Sequence, residues 1–299
     1  MRQNYQFLLL ALFLSLAFAG LESTRSLQST VDYSTQGADW TGTCASGIEQ
    51  SPIDVSSSQG NCENTIVFNL RFVNSSVSTN LTDNGYAYEM SGTFSTLYAT
   101  TVDSVLLGYT GTSMQIHAPS EHTIQGIQYD MELQIYHQIT DQFASDPRDG
   151  RTIAAVSILF KVDDTQPENP LIESFKLSGT SNETDPLSIS LGSSLGSHLT
   201  TPIVYYAYKG SKTTPPCDQT VNWYVLDQVL TMTSAQLEPL TEKWSNSTNT
   251  SGIGNYRKTQ SVGTRIIQKG GGGCQSQYVY FFSFFLLFSF IGYFVFRLL

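Results

Sequence analysis

The sequence predicts a single, mainly β domain with a few short helices, and three observations lead there. Hydrophobic residues recur with a period of two more than with a period of 3.6. The apolar runs are short and rich in β-branched and aromatic residues, and Gly, Asn, Asp and Pro separate them. Strand patterns fall at residues 65–72 (TIVFNLRF), 132–137 (ELQIYH), 154–162 (AAVSILFKV) and 223–226 (WYVL). Turn signals stand between such runs at Asp83-Asn84-Gly85, Asp149-Gly150 and Pro215-Pro216. Two stretches fit short helices, 169–177 (NPLIESFKL) and 234–244 (SAQLEPLTEKW).

Both ends differ from this body. Residues 7–18 (FLLLALFLSLAF) form an apolar run behind Arg2 that ends in the small-x-small pattern Ala17-Phe18-Ala19. The run is too short to span a bilayer, so residues 1–19 read as a secretory signal peptide. Residues 278–296 are apolar and aromatic without a charge, long enough to cross a membrane. They read either as a transmembrane helix or as the signal for a GPI-type lipid anchor. Small residues 271–274 and a tail running to Leu299 suit the anchor, whereas the short spacer Gln275-Ser276-Gln277 does not. The expected organisation is a signal peptide (1–19), a domain (20–245), a polar and Gly-rich linker (246–277) and the hydrophobic segment (278–299). That order places the body on the cell surface or a lumenal face, membrane-anchored through its C-terminus.

The formal net charge of −10 and the lack of a basic cluster exclude nucleic acid as a natural partner. Five N-x-S/T sequons, at Asn74, Asn80, Asn182, Asn246 and Asn249, agree with a secreted glycoprotein. The four cysteines, Cys44, Cys62, Cys217 and Cys274, leave three complete pairings open, and none sits in a zinc-binding cluster.

Alternate residues of a strand project from one face. Ser113, Gln115 and His117 therefore share a face, as do Glu132, Gln134 and Tyr136 on the strand pattern that follows. Two neighbouring strands with such faces could hold a three-ligand metal site. The surrounding motifs run in a recognisable order: Cys44-x-x-Gly47-x-x-Gln50-Ser51-Pro52-Ile53-Asp54, Asn84-Gly85, Pro119-Ser120-Glu121-His122-Thr123, Glu132-Leu133, Phe160-Lys161-Val162 and Gly210-Ser211-x-Thr213-Thr214-Pro215-Pro216. From about Tyr33 to Leu240 the chain closely resembles the alpha-class carbonic anhydrases. That resemblance implies a single domain built on a large, twisted, mostly antiparallel central sheet.

The resemblance also implies where chemistry would sit. The family's three zinc-ligand histidines fall on Gln115, His117 and Gln134, so one imidazole remains between two carboxamides. Amide oxygen is a poorer donor to Zn²⁺ than imidazole nitrogen, and losing two of three nitrogens is expected to cost several powers of ten in affinity. Glu132 and Ser113 are expected to orient the two glutamines. Thr213 and Glu121 match the pair in which a hydroxyl donates to a carboxylate and orients the zinc-bound hydroxide; Tyr33 matches a residue of the solvent network. The pocket is expected at Tyr86, Tyr136, Ala155, Lys212 and Trp223. Tyr86 stands where fast members carry a proton-shuttling histidine, and Lys212 is a candidate partner for Glu121. His122 and His137 match buried structural positions. Cys44 and Cys217 match the pair that is bridged in secreted members, and Cys62 and Cys274 have no family partner.

The expected function is a tethered extracellular carbonic-anhydrase-like protein without carbon dioxide hydratase activity. It resembles the family's acatalytic members and acts as a binding or structural module, with no cofactor and with an extracellular protein as the partner class. The alternative is a weakened zinc enzyme acting on carbon dioxide and bicarbonate.

Overall fold

The computed structural model describes residues 31–56, 60–62, 68–72, 76–140, 150–177, 186–195, 198–199 and 202–271. The expected signal peptide and hydrophobic C-terminal segment, with Asn74, Asn182 and Cys274, lie outside them, as does the side chain of Cys62. Among the described residues no helix is long and apolar enough to cross a membrane.

The strands are, in order, β1 (Asp54–Val55), β2 (Gly60–Cys62), β3 (Phe68–Phe72), β4 (Val77–Thr79), β5 (Thr82–Asp83), β6 (Tyr88–Ser91), β7 (Ser95–Thr100) and β8 (Leu106–His117). They continue as β9 (Thr123–Ile124), β10 (Ile127–Gln128), β11 (Met131–Ile139), β12 (Ile153–Val162), β13 (Leu187–Ile189), β14 (Tyr205–Gly210), β15 (Val221–Leu226), β16 (Leu230–Met232) and β17 (Ile267–Gly270). The helices are short: α1 (Thr43–Ser46), α2 (Pro170–Ser174), α3 (Leu191–Ser194) and α4 (Ser234–Ser245). A mainly β fold was expected, and the mixed, mostly antiparallel sheet that forms is the one the resemblance implies.

The main sheet has twelve strands, with the path β2-β17-β14-β15-β12-β11-β8-β6-β5; β16 pairs with β12, and β3 joins through β7 to β8. Period-two patterning divides its side chains between two cores. Met114 and Ile116 of β8, Leu133 and Ile135 of β11 and Val156 and Ile158 of β12 enter the larger one. Ala155, Leu159, Trp223 and Val225 enter a smaller core on the opposite face, with Tyr206 and Tyr208. The candidate residues of β8 and β11 stand on this second face, because they alternate with residues of the larger core.

Local chemistry fixes the helices. Thr233 and Gln236 form a capping box at the start of α4. The Gln236 amide also bonds both backbone groups of Asn169 (2.9 Å each), which in turn caps α2 through Oδ1 and Leu171 N–H (3.1 Å). The Cys44–Cys217 disulfide expected from the resemblance is formed and links positions 173 apart.

The expected linker is corrected over its described part, residues 246–271. Thr250, Asn255, Arg257 and Ile267 are buried, and β17 lies inside the sheet between β2 and β14. Glycine and polar residues suggested a tether, but these polar groups are buried because each finds protein partners. Asn255 alone bonds Ala118, Ile116 and Tyr86.

β8 and β11 slip register between Tyr136 and His137, so Tyr136 faces Ser113 and His137 faces Gly111. His137 is buried; its Nδ1–H donates to Ile135 O (3.0 Å), which leaves Nε2 to accept from the Ser95 hydroxyl (2.8 Å). Burial lowers its pKa from 6.5 to about 4, against a smaller opposing effect of the Ile135 and Ala154 backbone. The unfolded chain therefore takes up the proton first as pH falls, so stability is complete above pH 6.5 and lost toward pH 4. Urea unfolding of the wild type is expected to show a loss of roughly 3 kcal/mol across this window. His137→Gln is expected to be less stable at pH 7 and to lack that slope.

Candidate functional site

The register brings the expected positions together. Gln115 is opposite Gln134 and His117 is opposite Glu132 across the β8–β11 ladder, and Glu89 of β6 is opposite Gln115 on the other side. His117, Gln134, Glu132, Glu121 and Thr213 are buried, while Gln115 and Tyr136 are half-buried.

Glu132 is the fixed point. Its Oε2 accepts from the backbone N–H of Glu121 and of His122 (2.8 Å each). Its Oε1 accepts from Gln134 Nε2 (3.0 Å) and lies 2.8 Å from His122 Nδ1. Burial by itself raises a carboxyl pKa, but the charge and hydrogen bonds of His122 overcome it and hold Glu132 at about 2 instead of 4.5. His122 continues the network through Nε2 to Tyr208 Oη (2.7 Å), and Tyr208 donates to Ser51 Oγ (2.9 Å).

Gln134 donates its second amide proton to Glu121 Oε2 (2.8 Å), and its carbonyl oxygen accepts from the Tyr136 hydroxyl (2.7 Å). Glu121 Oε1 accepts the Arg257 backbone N–H (2.8 Å). Arg257 is itself buried; its guanidinium donates to Gln50 Oε1, Ser51 O and Cys44 O, holding the disulfide loop against the site.

His117 is held differently. Its Nδ1 donates to Asn255 O (2.7 Å), so in the neutral ring Nε2 is a bare acceptor; it is buried without a protein partner. Tyr33 packs edge-on against this ring, and burial pushes its phenol pKa well above 10, with Glu121 adding to the effect. Gln115 makes one long contact, Nε2 to Glu89 Oε2 at 3.5 Å, and its Oε1 is unpartnered.

Several expectations are corrected. Thr213 does not donate to Glu121: the carboxylate oxygens are taken by Gln134 and Arg257, and the Thr213 hydroxyl turns instead to the Tyr136 phenol. Glu89, not Ser113, contacts Gln115, because β6 adds a facing strand that spacing within β8 does not reveal. Lys212 makes no ion pair with Glu121 among the described residues; it is half-buried in the wall of a cleft of about 380 Å³. Tyr86, Tyr136 and Lys212 line that cleft, but Ala155 and Trp223 are buried behind it, with Trp223 meeting Tyr136 edge to face.

Glu89, Asn255 and Arg257 were missed by sequence reasoning. Glu89 carried a faint signal, alternating with Ser91 on a short strand. Asn255 and Arg257 lay in or next to a segment whose composition suggested a loop.

The donor set does not suit a catalytic zinc. One imidazole nitrogen faces the site, one amide oxygen is occupied by a phenol, and the other belongs to a side chain held only loosely. Among the described residues no group of three or more His, Cys, Asp or Glu is arranged to hold a metal ion.

Fold and residues together define a carbonic-anhydrase scaffold with an altered metal position. The family model for eukaryotic-type carbonic anhydrase matches residues 35–270, and the chain belongs to that family. It is 27% identical to dioscorin dioA3 of Dioscorea japonica over 75% of this chain and 76% of that protein. It is 30% identical to carbonic anhydrase 6 of Mus musculus over 53% of this chain and 51% of the mouse protein. The structure of Photobacterium profundum alpha-carbonic anhydrase superposes with a TM-score of 0.59 at 25% identity, covering 79% of this chain and 95% of that one.

The Glu132 shift predicts a second, lower acid transition. A carboxylate held at about 2 contributes stability that is complete above pH 4.5 and is lost as pH falls toward 2. Glu132→Gln is expected to cost roughly 3 kcal/mol at pH 7 and to remove this part of the acid dependence, measured from urea midpoints at stepped pH.

Proposed function

We propose that this protein is a carbonic-anhydrase-like binding or structural module without carbon dioxide hydratase activity, displayed outside the cell and tethered through its C-terminus. The observation that carries the loss of activity is the Tyr136–Gln134 hydrogen bond. The carbonyl at the third ligand position is turned to a phenol, while both amide protons are held by Glu121 and Glu132. All three bonds of that amide are made inside the protein, so a metal would have to displace one of them at a cost of about 1–3 kcal/mol.

The secretory route is supported by the residue 7–18 pattern, the Cys44–Cys217 bridge and the sequons. Asn80 and Asn246 are exposed; Asn249 is half-buried, with its amide on Gly85 O (3.3 Å). The tether has a geometric consequence. β17 runs antiparallel to β14, so Gly270 pairs with Tyr205, at the opposite end of β14 from Gly210, which leads into Lys212 and the cleft wall. A body attached just beyond Gly270 would open its cleft away from the membrane.

A second reading, a weakened zinc enzyme acting on carbon dioxide and bicarbonate, is favoured by one observation. Asn255 fixes His117 in the tautomer that leaves Nε2 free, as a metal-ligating histidine requires.

Metal analysis of the full chain with stopped-flow carbon dioxide hydration separates the two. The expected result is far less than one zinc per chain and no hydration above the buffer rate. Tightly held stoichiometric zinc with sulfanilamide-sensitive hydration would establish the second reading. Q115H/Q134H is expected to remain a poor zinc binder, whereas Q115H/Q134H/Y136V, which also removes the phenol, is expected to gain at least about a hundredfold in zinc affinity, read by competition with a chelator.

A further inference from the structure

We infer that the cleft is a binding site for an uncharged, hydroxyl-rich ligand of the class of a single saccharide residue. The inference rests on the reading of the domain as a binding module, and it names what that module would hold. The cleft of about 380 Å³ lies in the range of small-molecule sites and exceeds what a single hydrated ion needs. Its wall is mostly polar, and two phenol side chains, Tyr86 and Tyr136, belong to the lining and supply apolar ring surface for the C–H groups of a sugar.

Charge decides against other ligand classes. Glu89 and Lys212 bring one negative and one positive side chain to the same cleft, so neither a cation nor an anion is favoured by the wall as a whole. Beneath the floor lie two buried carboxylates, Glu121 and Glu132. An anion entering deeply would meet them without a metal cation to offset the repulsion.

Hydrogen-bond valence points the same way. Gln115 lines the cleft, and its Oε1 is a buried acceptor without a donor. His117, fully buried two residues further along the same strand face, presents an Nε2 acceptor without a donor. Buried polar groups in folded proteins are paired in the great majority of cases, so the Gln115 carbonyl in the cleft wall calls for a partner that donates. A hydroxyl donates to Gln115 Oε1 and also accepts from the Lys212 ammonium. An array of hydroxyls does so at several positions without bringing a net charge.

The test is titration of the full-length protein with methyl glycosides of glucose, galactose, mannose and N-acetylglucosamine, read by saturation-transfer NMR and calorimetry. Sodium bicarbonate, sulfanilamide and methylammonium serve as the charged and family-type comparisons. At least one glycoside is expected to bind without added metal. Gln115→Leu, which keeps bulk and removes the carbonyl, is expected to weaken it about tenfold. Tyr86→Ala removes one aromatic face at the cleft edge and is expected to weaken the same glycoside while leaving the unfolding midpoint unchanged, so that loss of binding is not loss of fold. Failure of all four glycosides at concentrations on the order of 50 mM, with the protein folded, overturns this inference and leaves the acatalytic reading standing. Preferential binding of methylammonium or bicarbonate without metal overturns it in the same way. Sulfanilamide binding that requires zinc overturns both.

Discussion

A buried carboxylate that accepts four hydrogen bonds sets the geometry of everything around it. Glu132 sits at the middle of the sheet without solvent, so its oxygens must be satisfied by protein donors, and the protein supplies two backbone N–H groups, one ring nitrogen and one amide. Those bonds pull the Glu121–His122 loop onto the sheet and bring the Glu121 carboxylate beside Gln134. Two carboxylates then flank one amide, and carboxylates only accept. Gln134 has to meet both with its nitrogen, which turns its oxygen toward Tyr136.

The two glutamines are consequently not equivalent. A histidine at position 134 would give one proton to Glu132 and keep a lone pair for a metal. The amide gives two protons to two carboxylates and its oxygen to a phenol, so the network closes on itself. At position 115 the same substitution leaves the carbonyl without a partner among the described residues, and Glu89 engages the nitrogen at long range. His117 is a third case. Asn255 and the surrounding backbone hold its ring as a ligand would be held, since those bonds also seal the end of β8 and persist for structural reasons. One site thus contains a rebuilt half and a preserved half.

The scaffold does not depend on what the cleft holds. Two hydrophobic cores pack the faces of the main sheet, and Arg257 with the Cys44–Cys217 bridge secures the loops beside the site. Arg257 is buried, and burial lowers its pKa against the opposing pull of Glu121; hydrogen bonds to three oxygens of the 44–51 loop hold it in place. Such a fold tolerates changes at Gln115 and Gln134 because neither belongs to a hydrophobic core, whereas Tyr136 also packs against Trp223. Fold and chemistry are separable here for that reason.

By itself the sequence determined the β architecture and the family, and the family resemblance in turn implied the disulfide pair and the two positions where imidazole has become carboxamide. Period-two hydrophobicity is a local property, and motif residues keep their spacing, so both survive in one dimension. It also placed Gln115, His117, Gln134 and Glu132 on facing strands. It did not show that the Thr213 hydroxyl loses Glu121, that Glu89 reaches Gln115, or that Asn255 and Arg257 belong to the site rather than to a linker. Each of those depends on a contact between residues far apart in the chain, or on which of two donors reaches an acceptor first. Only the packed tertiary structure decides that, because buried hydrogen bonds are shared out among neighbours whose distances the order of residues does not contain.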